Sequence, residues 1–369
     1  MTFSITVDPQ SNNILFANDG RSHALHPVWL RERTTEPDTV DQGSGQRLYD
    51  PCSIDLDLAV AEIHSSGESS TIIWSDGHRQ SVLHELIAQE IGWAPAPLDL
   101  PAPTPWPTEP QPFPRVSWPD ESDLDAQQQA LNAFWTHGFV VFSDTPTTPG
   151  DLTALAGRFG TVRPTNFGTL FDVYAKPNPV DLAYTPRELT PHTDNPYRRP
   201  VPSIQFLHCL ENNATGGEST LVDGLAAFQD FAIRDPEAHE VLCSVPVSFR
   251  YHFGDETLMD RSTILERHAN GTFAGIRNSD RLDFVDAVDV AMLDRFYRGR
   301  TALRSLLGDE SRRAMFLLQK GDLLMMDNRR LLHGRLSYQL ESGLRHLQGC
   351  YIEHDGPELL WRRLAARAH

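Results

Sequence analysis

Positive charge, cysteine and long apolar runs are all scarce in this chain. Its 32 Lys and Arg stand against 50 Asp and Glu, a formal charge of −18, which excludes the basic footprint that nucleic-acid phosphates or an anionic membrane surface would require. The four cysteines in 369 residues, Cys52, Cys209, Cys243 and Cys350, show no pairing rhythm, so no disulfide framework is expected. No apolar stretch approaches the roughly 18 residues that cross a bilayer, and the opening MTFSITVDPQSNN lacks the basic and apolar regions of a signal peptide. These absences leave a reduced, cytoplasmic protein whose partner is a small molecule, with no nucleic acid and no membrane. The chain is long for one core and is expected to form two domains.

Proline, by contrast, is concentrated. Residues 94–119, APAPLDLPAPTPWPTEPQPFPRVSWP, place it at about every third position, which removes backbone donors and enforces extended geometry. This stretch is expected to be a semi-rigid linker between a small β-rich domain at 1–93 and a larger domain at 120–369. If it is instead a structured crossing, Trp106, Phe113 and Trp118 are its anchors. After it, DLDAQQQALNAFWTHGFVVFSD reads as a helix running into a strand, and GDLTALAGRFG as a helix closed by Gly160. From about Arg199 onward strand-like segments dominate, with one helical insertion near 288–307. Helices followed by many short, non-repeating strands indicate a mainly β domain with helical buttresses, of which the double-stranded β-helix (jelly roll) is the commonest enzyme-bearing form.

The segment LTPHTDNPYRRP, residues 189–200, sets His192 and Asp194 two positions apart between prolines. On extended backbone both point to one face and Thr193 to the other, which a metal requires and an ordinary salt bridge does not. A third ligand must come from elsewhere, and MMDNRRLLHGR offers His333 at the end of an apolar strand. Two histidines and a carboxylate are the facial triad that leaves positions open on non-haem Fe(II). Downstream, RHLQGCYIEH puts Arg345 in an otherwise apolar strand, sharing a face with Leu347, Gly349 and Tyr351. A buried guanidinium needs an anionic partner, and a cosubstrate carboxylate held bidentately would supply one. The same donor set in a zinc hydrolase would leave Arg345 without a task. A cupin-like binding protein would keep the jelly roll without turnover.

The order His192-X-Asp194, then TGGES at 215–219, then DNRRLLHGR and RHLQGCY resembles the Fe(II)/2-oxoglutarate-dependent oxygenases of the taurine-dioxygenase type. It is most similar to the γ-butyrobetaine hydroxylase and trimethyllysine dioxygenase branch. HPVWLRER at 26–33 and IIWSDGH at 72–78 extend the likeness to that branch's N-terminal domain. The resemblance implies a jelly-roll core, and a homodimer. It also implies iron held by His192, Asp194 and His333, and 2-oxoglutarate anchored by Arg345 with Ser219 and Leu207. Dioxygen would take the last open position, and oxidative decarboxylation to succinate and CO2 would drive hydroxylation of an unactivated carbon. By the same resemblance an aromatic cage of Phe167, Phe171, Tyr184 and Tyr351 would receive a trimethylammonium group. Asp181 would stand beside that cation, and Arg277 and Asn278 would meet the substrate's anionic end. An arginine there favours a phosphonate, so 2-(trimethylamino)ethylphosphonate and γ-butyrobetaine lead, with trimethyllysine the alternative.

One departure stands out. The branch usually carries a structural zinc held by three cysteines and a histidine, and here Thr34, Glu36 and Thr39 stand where the cysteines would fall, leaving only His78. The small domain is therefore expected to fold without zinc, and Cys52 to be a buried hydrophobe. The segment 252–267, polar and glycine-containing at its start, is a candidate lid.

Overall fold

The computed structural model describes residues 3–95, 99–107, 113–175 and 184–367. The chain divides into two compact units, Met1–Asp99 and Leu100–His369. No helix among the described residues is long and apolar enough to cross a membrane.

The first unit is built from two three-stranded antiparallel sheets. One holds β1 (Ser4–Val7), β2 (Ile14–Asn18) and β3 (Arg21–Leu25), followed by helix α1 (Pro27–Arg31). The other holds β4 (Val60–Ser66), β5 (Ser69–Trp74) and β6 (Arg79–Leu83), followed by α2 (His84–Glu90). Alternation drives both: Ile14 and Phe16 on β2, and Ile72 and Trp74 on β5, are buried in one core with Leu30 and Ile87. The residues at the family's zinc positions satisfy one another instead. Thr34 Oγ1 lies 3.0 Å from Thr39 Oγ1 and 3.3 Å from His78 Nε2, and Glu36 Oε1 accepts the Ser81 N–H at 2.9 Å. Hydroxyls and one imidazole do not fit a tetrahedral zinc site. Cys52 is exposed, contrary to expectation, because it rides on the short turn Pro51–Ser53 that Asp50 caps from Cys52 N.

In the second unit β7 (Arg115–Ser117) pairs parallel with β8 (Phe139–Ser143), which follows helix α3 (Leu124–His137). Asp123 caps the start of α3 and left-handed Gly138 ends it, as the sequence indicates. Helix α4 (Asp151–Gly157) stops earlier than expected, capped by Arg158 in right-handed geometry rather than by Gly160. Next come β9 (Phe171–Val173), β10 (Leu189–His192), β11 (Ile204–Asn212), β12 (Thr215–Gly216) and β13 (Ser219–Asp223).

Two helices that the strand-rich reading passed over follow, α5 (Gly224–Arg234) and α6 (Pro236–Ser244). Their signals are present: Asp223 and Asp235 accept the first-turn N–H groups, and Pro236 opens α6. Strands β14 (Val247–Phe253) and β15 (Glu256–Ser262) form an ordered hairpin over the candidate lid. Then come β16 (Leu265–Arg267), β17 (Phe273–Ile276), β18 (Asp283–Val285) and α7 (Val290–Leu307). Strands β19 (Arg313–Phe316), β20 (Leu323–Asp327), β21 (Leu331–Arg335), β22 (Tyr338–Gln339) and β23 (Arg345–Ile352) lead to α8 (Asp355–Ala365).

Two sheets make the jelly roll: a six-stranded one ordered β7-β8-β20-β11-β23-β9 and a four-stranded one ordered β10-β21-β13-β19. Their inner faces meet through Phe139, Val141, Leu324 and Met326 from the first and Leu221, Phe316 and Leu331 from the second. The outer face of the larger sheet is covered by α3, α4 and α8 through Phe134, Leu152 and Trp361. Helices α5 to α7 pack a third core around Phe228, Leu242, Phe249 and Phe296.

The described part of the proline-rich stretch beyond Asp99 is seated on this unit. Trp106 and Phe113 pack on Phe139, and Trp118 on Phe142. A buried ion pair fastens it: Asp223 takes Arg330 Nε at 3.0 Å and Nη2 at 2.9 Å and the Trp106 N–H at 3.0 Å, while Arg330 Nη2 also donates to Thr104 O at 2.7 Å.

Asp223→Asn leaves Arg330 buried without its counter-charge, and should lower stability by about 3–5 kcal/mol in urea unfolding; an unchanged midpoint would remove the pair from any structural role. Zinc bound per chain should be the same in the parent and in His78→Ala; a loss in the variant would restore the zinc site.

Candidate active site

Strand β10 pairs antiparallel with β21, bringing His192 directly opposite His333, with ring centroids 4.4 Å apart. Asp194 lies just past the end of β10, yet the alternation persists. Thr193 turns away to donate from Oγ1 to Ile276 O at 2.9 Å, and Asp194 faces the histidines. Asp194 Oδ1 is 3.3 Å from His192 Nε2 and Oδ2 is 3.7 Å from His333 Nε2. Among the described residues these three alone converge as a metal-binding group, with one donor atom from each lying within 4.8 Å of the others.

Orientation is imposed from behind. His192 Nδ1 donates to Thr190 O at 2.9 Å, which leaves Nε2 bare on the inner side. Asp194 Oδ2 accepts Gln205 Nε2 at 2.7 Å and the Tyr351 hydroxyl at 2.8 Å. Burial pushes His333 down to about 3, so its ring is neutral at pH 7 and its lone pair is available. For Asp194 burial acts to raise the pKa, but His333, His192 and the Tyr351 hydroxyl outweigh it and hold the carboxyl ionised. Two imidazoles and a carboxylate, open on the cavity side, fit non-haem iron.

Beside the triad a small cavity of about 80 Å³ is lined by Gln205, Leu207, Ser219, His333, Arg335 and Arg345, among others. Arg345 is 4% exposed and its Nε has no hydrogen-bond partner among the described residues. Burial lowers its pKa below the usual arginine range. Gly217, at φ +78, lets the TGGES turn close on it, since a Cβ there would sit 3.0 Å from Arg345 Nε. An under-satisfied guanidinium at the end of a small cavity fits the carboxylate of a cosubstrate.

A larger cavity of about 320 Å³ adjoins His192 and Asp194. Six aromatic rings line it: Phe167, Phe171, Tyr184, Tyr197, Tyr251 and Tyr351. Phe171 stacks on Tyr351 at 5.3 Å and Tyr197 on Tyr251 at 4.8 Å. Gly349 makes the first stack possible, because a Cβ there would run into the Phe171 ring. All four aromatic residues expected from the sequence line this cavity, together with Tyr197 and Tyr251.

Asp181 lies outside the described residues. Arg277 does not line the cavity. Its Nη1 donates to Asp260 Oδ2 at 2.6 Å and its Nε pairs with Glu266 Oε1 at 2.7 Å, because the chain leaving β17 turns this side chain toward β15 and β16. Asn278 does not line the cavity either: its Nδ2 donates to Pro191 O at 3.4 Å, while its backbone O accepts the Thr193 N–H at 2.8 Å and its backbone N–H donates to Thr193 Oγ1 at 3.2 Å. The polar wall is formed instead by the next residues, Ser279 and Arg281. Ser279 is 1% exposed and its Oγ has no hydrogen-bond partner among the described residues. Gln205 was also missed, although a glutamine two residues before Leu207 in an apolar strand is a signal of its own.

Residues 99–351 match the family model described as taurine catabolism dioxygenase TauD, TfdA family. The chain belongs to this family. It is 31% identical over 363 residues to a γ-butyrobetaine dioxygenase of Pseudomonas sp. (strain AK-1), covering 94% of this chain and 91% of that protein. It is 26% identical over 366 residues to a trimethyllysine dioxygenase of Meyerozyma guilliermondii, covering 91% and 89%. Among solved structures, PvcB from Pseudomonas aeruginosa superposes with a TM-score of 0.49 at 21% identity, over 71% of this chain and 94% of that one.

This TauD/TfdA-family protein is thus a dioxygenase that uses iron and 2-oxoglutarate, which sets aside the hydrolase and the inactive cupin. Its two cavities share His192 and Asp194 as a common wall. Replacing a buried, under-satisfied guanidinium by an apolar chain of similar length removes an unmet donor. Arg345→Met in this TauD/TfdA dioxygenase should therefore stabilise the ligand-free protein by about 1–3 kcal/mol in urea unfolding. A loss of stability would show that the remaining contacts of Arg345 dominate.

Proposed function

We propose that this protein hydroxylates an aliphatic carbon of a small trimethylammonium compound carrying an anionic group at its other end. The supporting observation is the six-ring aromatic cavity that opens onto His192 and Asp194. A quaternary ammonium cannot donate ordinary hydrogen bonds and is held best by ring faces. Two relatives named for γ-butyrobetaine and trimethyllysine support the same class.

In this reading His192 Nε2, Asp194 and His333 Nε2 hold the iron, and Arg345, with Ser219 and Leu207 beside it, receives the far carboxylate of 2-oxoglutarate. With both bound and dioxygen present, the site supplies the oxidant that removes hydrogen from an unactivated carbon as 2-oxoglutarate becomes succinate and CO2. The chain's own work is placement. Gln205 and Tyr351 hold Asp194 Oδ2 so that the carboxylate keeps one orientation. Phe167, Phe171, Tyr184, Tyr197, Tyr251 and Tyr351 fix the cation and exclude water. Ser279 and Arg281 meet the anionic end, the task the sequence suggested for Arg277. A guanidinium with a hydroxyl beside it favours a multiply charged oxyanion, so 2-(trimethylamino)ethylphosphonate ranks with γ-butyrobetaine, and trimethyllysine remains the alternative.

Succinate formation by anaerobically reconstituted Fe(II) protein, started with oxygen, should rise strongly with one of these three compounds and vanish in His192→Ala. Equal basal rates with all three would leave the dioxygenase standing and remove the trimethylammonium reading.

A further inference from the structure

The peptide of Asp194 has an unusual support. Strand β10 ends at His192, and the chain turns aside at Asn195, which has φ 50. A peptide leaving a ladder loses its strand partners, and buried N–H and C=O groups must find others. The Thr193 N–H donates to Asn278 O, just beyond β17, at 2.8 Å. For Asp194 both partners come from one side chain. Asn328 Oδ1 accepts the Asp194 N–H at 2.9 Å, while its Nδ2 donates to Asp194 O at 3.0 Å and to Pro202 O at 2.9 Å. Its own N–H donates to Ser203 O at 2.8 Å. Asn328 is 0% exposed and opens the turn between β20 and β21, the strand that carries His333.

A carboxamide offers an acceptor and two donors on one small plane, so it can pair with a peptide in both directions as a neighbouring strand would. A carboxylate keeps only the acceptor, and a leucine of similar shape keeps neither. Through this one side chain the peptide of one candidate ligand is tied to the turn that leads into another. Gln205 and Tyr351 act on the far end of the same residue, at its carboxylate, so Asp194 is held at both ends.

We propose that Asn328 is a positioning residue for the metal site: it sets the peptide of Asp194, and through it the direction in which the carboxylate meets the metal between His192 and His333. The proposal rests on the reading of those three residues as iron ligands.

Anaerobic titration of the metal-free full chain with Co(II), followed by its visible absorption, measures this without turnover. Parent, Asn328→Leu, Asn328→Asp, His192→Ala and Leu364→Ala, which thins the buried α8 layer behind the larger sheet, are compared, each with its urea midpoint. Asn328→Leu should bind Co(II) about 10–100-fold more weakly, and Asn328→Asp, which keeps the acceptor, should lie between it and the parent. Leu364→Ala should bind as the parent does despite a lower midpoint. Parent-like Co(II) affinity in both Asn328 variants would overturn the proposal alone, as would an equal loss in Leu364→Ala, which would make the effect one of general stability. Absence of one-to-one binding by the parent, or binding retained in His192→Ala, would overturn the metal reading and the proposal together.

Discussion

The facing of His192 and His333 across the β10–β21 ladder is the constraint on which the rest of the site depends. A ladder register is discrete: a slip of one residue would send one imidazole to the opposite face of the sheet. Pairing of β21 with β13 on its other side, Leu221 opposite His333, fixes β21, and the bonds of Thr193 to Ile276 O and Asn278 O hold the end of β10 against it. The four-stranded sheet therefore acts as a ruler for the two candidate histidine ligands, and Asp194, beyond the end of β10, needs separate fastening.

The opposing sheet contributes the chemistry around the ligands. Alternation along β23 sends Arg345, Leu347 and Tyr351 into the space between the sheets and Cys350 and Ile352 into the helical layer behind. One strand thus lines both cavities and also supplies a hydrogen bond to Asp194. On β11 Gln205 and Leu207 repeat the pattern from the neighbouring strand. Among the buried polar atoms without hydrogen-bond partners in the described residues are Arg345 Nε and Ser279 Oγ, and each borders a cavity. A buried donor without an acceptor costs stability, and a ligand oxygen at either place would offset that cost.

Much of this was legible before the structure. His192 and Asp194 were visible as candidate ligands because alternate positions on extended backbone share a face, and Arg345 as a candidate anion site because an ionisable group in an apolar strand needs an anion. The cavity-lining residues Phe167, Phe171, Tyr184 and Tyr351 came through resemblance rather than periodicity. Arg277 was misjudged for a physical reason: after β17 the chain turns, alternation no longer applies, and two arginines four residues apart can face different ways. Asp260 and Glu266, which claim Arg277, come from β15 and β16, whose placement no local pattern reports. Helices α5 and α6 were passed over although Asp223, Asp235 and Pro236 marked their starts.

Sequence by itself determined the kinds of groups available and their local facing: a His-X-Asp pair on one side of extended chain, a third histidine closing an apolar strand, an arginine in an apolar strand, and a small domain without the cysteines for zinc. Tertiary structure alone decided which of these meet. Ring-to-ring distance, the choice of Arg281 over Arg277 at the polar wall, the addition of Tyr197 and Tyr251 to the aromatic lining, and the grip of Asn328 on Asp194 all join residues from separate strands and turns. Strand order and register set those encounters, and they arise from packing the whole sandwich rather than from any single segment.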